Sequence, residues 1–307
     1  MSPTESIQEA STSKRTVLVV DPDPQIEIML SSILTPLGWT MEIARDNKAV
    51  LELVRKRPYD LIITGEETAA REDIELLQEI RLVRPHERLI ILTGDGTPQD
   101  AIASMREHAF AYFSKPFSME SLAEAVRMVA DGPCWDDGIE VLMATPSWIR
   151  LAVRCDVKTA DRLLIFLAEI ADLPPREKCE VGIAFREMLL NAIEHGGRLD
   201  PEQYVEISYV RGDRAVGCRI KDPGQGFSLD EIRHAAVANP PGDPMQHITH
   251  RDAMGLRPGG YGVLMARHLV DELIYGEKGN EVLLVKYLPK EGGQPPSPES
   301  YPAPRPE

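Results

Sequence analysis

The residues best suited to chemistry in this chain form an ordered series in its second half. The first group is Glu187-Met-Leu-Leu-Asn191, a carboxylate and an amide four residues apart in a stretch with helical hydrophobic spacing. At that separation two side chains lie roughly 6 Å apart on one helix face, close enough to act on one ligand. The second is Asp222-Pro-Gly224-Gln-Gly226, about thirty residues on, and the third is Arg257-Pro-Gly259-Gly260-Tyr-Gly262, which opens another helical stretch. Glycines let backbone approach a ligand closely, and a helix N-terminus offers unpaired N–H groups and a positive dipole to phosphate. Glycine turns and a helix opening of this kind suit a ligand that carries phosphate.

The elements that must position these groups follow from periodicity. Across 178–197, Val181, Phe185, Met188, Leu189, Ala192 and Ile193 share one helix side, which is the core side. Glu180, Glu187, Asn191 and Glu194 fall within about one-sixth of a turn of one another on the other side. Taken alone, such a stripe is a solvated face. From Ser147 onward a strand-like SWIRLAVRC precedes helical stretches over 157–172 and 175–195. The strands YVEISYV and AVGCRIKD follow, then a Gly/Pro-rich stretch, the helix-like GVLMARHLVDELIYG and a last strand EVLLVKYL. That order predicts helices on one face of a mostly antiparallel sheet.

In order and spacing the E-x-x-x-N, D-x-G-x-G and G-G-x-G series resembles the Bergerat-fold ATPases, shared by gyrase, heat-shock chaperones, histidine kinases and the anti-sigma serine kinases. The resemblance implies ATP and Mg²⁺ as ligands. It makes Asn191 the Mg²⁺ ligand, Asp222 the acceptor for the adenine amino group, Gly224 and Gly226 the pocket wall, and Gly259, Gly260 and Gly262 the phosphate cradle. Residues 228–258 then look like a lid, whose His247, His250 and Arg251 either contact phosphate or are lid surface. One departure lies in the last strand: many relatives carry a threonine near the adenine, and this chain has Gly279-Asn280-Glu281, where Asn280 can still donate and accept hydrogen bonds.

The first half follows another rhythm. From Thr16 to about Asp131 the apolar runs TVLVVD, TMEIAR, YDLIIT, LIILT and AYFS alternate with amphipathic stretches, the pattern of a doubly wound parallel sheet buried on both faces. Ligands of such sheets bind at the carboxyl ends of the strands, here Asp21, Gly65, Thr93 and Lys115. With Asp21 and Asp23 after the first strand, Thr93 after the fourth and Lys115-Pro116 after the fifth, residues 15–131 resemble the receiver domains of bacterial response regulators. In that family an acidic pair holds Mg²⁺, an aspartate ending the third strand accepts a phosphoryl group, and a Thr/Ser and a Lys read out the added charge.

Laid on this chain, Asp21 is one acid of the metal site, Pro22 stands where the second usually sits, and Asp23 is its partial substitute. The phosphoacceptor falls on Gly65, which has no side chain to phosphorylate. Glu66 is adjacent, but a one-residue slip would require a bulge. The expectation is a pseudo-receiver used for docking or dimerisation, with Thr93, Tyr112 and Lys115 as the remnant of its switch pocket, or Lys115 as a solvated side chain beside a cis Pro116.

Composition narrows the rest. At 307 residues the chain has room for two domains. Expected boundaries are a tail over 1–14, the receiver-like domain 15–131, a Gly/Pro-interrupted linker 132–146, the ATPase domain 147–290, and a Pro-rich tail 291–307. The net charge of −15, with no basic cluster to offset it, argues against nucleic acid and anionic lipid. Four cysteines without metal-like spacing read as reduced structural thiols, and the absence of a long apolar run predicts a soluble cytoplasmic protein.

None of the seven histidines lies between 118 and 178, where a phosphorylatable helix would precede the ATP site, so an autophosphorylating histidine kinase is disfavoured. The short E-x-x-x-N box looks most like that of anti-sigma-factor serine kinases, in which the glutamate at the place of Glu187 is a candidate general base. The implied partner is an antagonist protein or a sigma factor, with a homodimer by analogy. Two functions stay open: ATP-dependent phosphorylation of a protein serine or threonine, or a non-catalytic module that binds ATP and sequesters a partner.

Overall fold

A computed structural model describes residues 15–20, 24–65, 69–131, 137–226, 243, 245–253 and 260–289. The chain forms two compact units, one built on each of two sheets.

In the first sheet, strands β1 (Arg15–Val20), β2 (Trp39–Ala44), β3 (Leu61–Thr64), β4 (Leu89–Thr93) and β5 (Ala111–Ser114) alternate with helices α1 (Pro24–Leu34), α2 (Asn47–Lys56), α3 (Ala70–Val83), α4 (Pro98–Arg106) and α5 (Met119–Asp131). The strand order is β2-β1-β3-β4-β5 and every pairing is parallel, the doubly wound arrangement expected from the apolar runs. α1 lies beside α5, and α2 beside α3. Central strands β3 and β4 are buried at every position, which is why their sequences show no alternation. Local chemistry agrees with the packing: Asp46 caps α2 by accepting from Ala49 N at 2.8 Å, and Thr97 with Asp100 forms a capping box on α4.

The second sheet is six-stranded and antiparallel, in the order β10-β11-β9-β8-β7-β6. Its strands are β6 (Ile139–Thr145), β7 (Trp148–Arg154), β8 (Tyr204–Arg211), β9 (Ala215–Lys221), β10 (Glu272–Tyr275) and β11 (Glu281–Tyr287). Ile149, Leu151 and Val153 of β7 alternate with more exposed neighbours, as do Val205, Ile207 and Tyr209 of β8 and Val216, Cys218 and Ile220 of β9. These strands therefore bury a single face. Helices α6 (Val157–Ile170) and α7 (Pro175–Asn191) pack on the sheet and on each other. The six core positions read from periodicity across 178–197 are all buried, four of them in α7 and Ala192 and Ile193 just past its end. A short α8 (Gln246–Ala253) and an α9 (Gly262–Leu269) that packs against α7 complete the unit.

Two expectations are corrected. The segment 132–146, read as a linker, contains β6, which pairs along its length with β7; a register shift between Val141 and Met143 breaks the alternation that would have revealed a strand. The run GVLMARHLVDELIYG is not one helix: α9 stops at Leu269 and Glu272–Tyr275 becomes the edge strand β10, because pairing with β11 gives those backbone groups partners. Both expected tails fall outside the described residues. Among the described residues Cys155, Cys179 and Cys218 are unpaired, and no helix is long and apolar enough to cross a membrane.

Phe166 of α6 is fully buried between sheet and helices, whereas Leu142 of β6 is 45% exposed. Phe166→Ala should cost the second unit about 3–5 kcal/mol in denaturant unfolding, while Leu142→Ala should change it by less than about 0.5 kcal/mol.

Candidate functional site

The end of α7 does not stop as an ordinary helix. Asn191 is its last residue, and Ala192–Gly196 continue as a π-turn closed by Gly197 N donating to Ala192 O at 2.8 Å. Single π-turns of this kind widen a helix and are frequent at functional sites. Here the widened turn sets Asn191, Glu194, His195 and Arg198 along the wall of a cavity of about 530 Å³, with Glu187 one turn earlier on the same wall.

Close approach explains the glycines of this turn. A Cβ on Gly196 would stand 2.2 Å from the Asp222 carboxylate, and one on Gly197 would stand 2.2 Å from Cys155 Sγ. The chain is thus wedged between β9's exit loop and the end of β7. Directly afterwards Arg198 and Leu199 take φ of 56° and 54°. Left-handed backbone costs a side-chain-bearing residue roughly 1–2 kcal/mol. The turn is retained by Leu199 N donating to Ile193 O at 3.0 Å and Asp200 N to Gly197 O at 3.0 Å.

The opposite wall is the loop after β9. Asp222 accepts a hydrogen bond from Gly224 N at 2.8 Å, so the carboxylate shapes its own loop. Gly226, at φ 82°, has no room for any side chain, since a Cβ would lie 1.6 Å from Lys278 O. Asn280 clamps the loop from the next strand: its amide nitrogen donates to Asp222 O at 3.2 Å and Gly224 O at 3.4 Å, while Asp222 N donates to Asn280 O at 2.9 Å. The Asn280 side chain is therefore occupied with backbone, which gives the departure noted in the sequence a structural task.

Between these walls Met188, Ile220, Tyr275 and Val282 supply an apolar lining suited to a flat aromatic ring. Tyr275 hydroxyl approaches Met188 Sδ at 3.7 Å, and burial pushes the Tyr275 phenol up to about 12. Burial also raises the Asp222 carboxyl above the ordinary aspartate range, partly offset by the Gly224 N–H. Cys155, behind the wall, is pushed up to about 11 by burial and then by the charges of Asp222, Asp200 and Asp156, an environment that keeps a thiol protonated and unreactive.

Where α9 begins, a Cβ on Gly262 would lie 2.5 Å from Glu187 Oε2, so the carboxylate of α7 meets the glycine opening of α9 at close range. Gly260, with φ 92°, also lines the cavity. The residues read from sequence as Glu187, Asn191, Asp222, Gly224, Gly226, Gly260 and Gly262 thus share one cavity. Gly259, most of 228–258 and the side chains of His247, His250 and Arg251 lie outside the described residues. Of the acidic stripe, Glu180 is turned to other work. Burial opposes its ionisation, but Lys286 at 2.6 Å and Arg176 at 2.8 Å outweigh that and hold it below the ordinary range. His195, Gly196, Arg198 and Tyr275 were not singled out in the sequence. The Gly196-Gly197 pair closing the helix was the available signal for the first three.

In the first unit Gly65 directly follows β3, Thr93 ends β4, and Lys115 follows β5 through a cis Lys115–Pro116 bond. Gly65 is buried, Thr93 and Tyr112 are fully buried, and Lys115 is exposed. Thr93 and Tyr112 converge on Gly96, where a Cβ would meet the tyrosine hydroxyl at 2.5 Å and Thr93 Cγ2 at 2.9 Å. Asp21, Asp23 and Glu66 lie outside the described residues.

Comparison with known proteins agrees with this division. Residues 152–286 match the model of the histidine kinase-like ATPase domain, and residues 17–127 that of the response regulator receiver domain. Over 110 residues the chain is 29% identical to the transcriptional regulatory protein GlrR of Escherichia coli, covering 36% of this chain and 25% of that one. Over 112 residues it is 28% identical to the probable transcriptional regulatory protein TcrX of Mycobacterium tuberculosis, covering 36% and 48%. The chain thus spans between a quarter and half of the length of these curated relatives. Among solved structures, a CheY-like receiver domain protein from Methanospirillum hungatei is 27% identical, covering 38% of this chain and 92% of that one with a TM-score of 0.35.

The Asp222 environment generates a pH dependence. Its folded-state carboxyl titrates above the ordinary value of 3.8, so the folded chain holds that proton more tightly than the unfolded chain. The resulting stability is full below the unfolded value and is lost as pH rises through the folded one. Asp222→Asn keeps the acceptor for Gly224 N–H but removes this loss. The ligand-free variant should gain stability over wild type between about pH 4 and neutrality, as read from urea midpoints, and should lose nucleotide affinity.

Proposed function

From the premise that a receiver domain and a histidine-kinase-like ATPase domain are joined in one signal-transduction chain, we propose an ATP-dependent protein serine/threonine kinase of the anti-sigma-factor type. The observation that carries the reading is the contact of Glu187 with the Gly262 opening of α9, one helical turn from Asn191. It brings a carboxylate, an amide oxygen and backbone N–H groups into reach of one ligand.

The residues present fit the implied ligands. The cavity volume suits a drug-sized or nucleotide ligand. Its apolar lining accepts a purine, with Asp222 the acceptor for the exocyclic amine. Asn191 would offer an amide oxygen to Mg²⁺. Bound Mg²⁺ would supply charge neutralisation to the phosphates. Gly224 and Gly226 keep the wall thin, and Gly260 and Gly262 would present backbone to phosphate, a role the motif extends to Gly259. Glu187 accepts the proton of a serine or threonine hydroxyl on the partner protein. The hydroxyl oxygen forms its bond to the γ-phosphorus, and the bond to the β-γ bridging oxygen breaks to leave ADP.

The receiver domain is proposed to be a pseudo-receiver that docks a partner or a second copy, because Gly65 directly follows β3. Asp21 and Asp23 would be a vestigial metal site, and Thr93, Tyr112 and Lys115 the remains of a switch. The same glycine favours a second reading for the whole chain: a non-catalytic ATP-binding module that sequesters a regulatory protein, its neighbour having already lost phosphoryl chemistry. In either case the partner is an antagonist protein or a sigma factor.

Purified full chain given labelled ATP and Mg²⁺ should bind nucleotide and transfer label to a serine or threonine of another protein in a lysate of its own cells. Glu187→Ala should retain binding and lose transfer by roughly 10²–10⁴-fold, and Asn191→Ala should lose both. Binding without transfer in wild type favours the sequestering module, and no binding overturns the site. Separately, a small-molecule phosphodonor such as acetyl phosphate should leave the receiver unlabelled; label at Glu66 would contradict its pseudo-receiver status.

A further inference from the structure

Arg198 has an unusual combination of properties. It lines the cavity from an exposed position, and among the described residues its guanidinium makes no hydrogen bond or ion pair. The described carboxylates on the same cavity are Glu187, Glu194, Asp222 and Glu281, of which Glu281 is held by Arg219 at 2.6 Å. Arg198 is the permanent cation among the described lining residues. A site for a polyanion walled by carboxylates is electrostatically uphill unless cations are supplied.

The backbone shows that this arginine is placed at a cost. With φ 56° it sits where glycine or asparagine is cheap and an arginine is not. Hydrogen bonds from Leu199 to Ile193 and from Asp200 to Gly197 bracket it, so its direction is set by the turn. Strain retained beside a cavity points to use of the side chain there. Asn191, Glu194 and Arg198 all line the cavity, Asn191 and Glu194 half-buried and Arg198 exposed.

Resting on the nucleotide reading above, we infer that Arg198 is a phosphate-binding residue of this cavity, pairing its guanidinium with the polyphosphate of a bound nucleoside triphosphate. The planar fork suits bidentate phosphate contact, which lysine reproduces only as a point charge. Arg198 thereby makes the site selective for the charged tail of the nucleotide, as Asp222 does for the base.

The test compares wild type, Arg198→Asn and Arg198→Lys in the full chain, by calorimetric titration with ATP, ADP and adenosine in Mg²⁺ and by thermal unfolding. Asparagine accepts left-handed backbone, so Arg198→Asn should fold with an unchanged or higher midpoint. It should weaken ATP by roughly ten- to a hundredfold, weaken ADP less, and leave adenosine unchanged, with Arg198→Lys in between. Undiminished ATP affinity in Arg198→Asn overturns the assignment while leaving the nucleotide site standing. Equal losses for ATP and adenosine also overturn it, since the residue would then shape the pocket or stack on the base. Failure of wild type to bind any of the three overturns the nucleotide reading and this assignment with it.

Discussion

The second unit depends on one steric fact: the carboxylate of Asp222 occupies the space that a side chain at 196 would need. That contact joins the end of α7 to the loop leaving β9, two segments far apart in sequence whose meeting defines the cavity. Much of the surrounding chemistry serves it. Gly224 donates to the same carboxylate, Asn280 fastens the loop carbonyls from the neighbouring strand, and the π-turn lets the helix reach the loop without a clash. Replacing Gly196 would separate the two walls, whatever residues remained on them.

This arrangement is bought with local instability. A half-buried carboxylate with no cationic partner among the described residues resists ionisation, and Arg198 and Leu199 sit in left-handed backbone. The stabilising counterpart is the layer of β7, β8 and β9 covered by α6 and α7, where Leu151, Leu163, Phe166, Leu189 and Val205 are fully buried. Packed apolar residues between sheet and helices thus carry the stability, and the strained backbone sits at one end of the same layer, where the cavity opens.

Much of the fold was legible because it rests on periodicity. Five apolar runs separated by amphipathic stretches specify a buried parallel sheet, and the core side of α7 was readable residue by residue. The lining of the candidate cavity was legible where one helix turn carries two polar side chains, as at Glu187 and Asn191, and where glycines cluster, as at Gly224 and Gly226. What escaped depends on contacts between distant segments. β6 was hidden by a register shift opposite β7, and β10 by its continuity with α9 in sequence. Nothing local marks residues 192–196 as a π-turn; Asp222 and Cys155 on the other side of Gly196 and Gly197 explain why the chain narrows there. Arg198 was overlooked for the same reason, since only the turn directs it along the cavity wall.

The central claim is that α7's end, the β9 exit loop and the start of α9 form one nucleotide site. Amide hydrogen exchange of the full chain, with and without Mg²⁺-ATP, tests it most directly. A single site predicts slowed exchange in three separate segments together, 191–199, 222–226 and 260–264, with adenosine protecting chiefly the second. Absence of protection in all three, or protection confined to one of them, would contradict it.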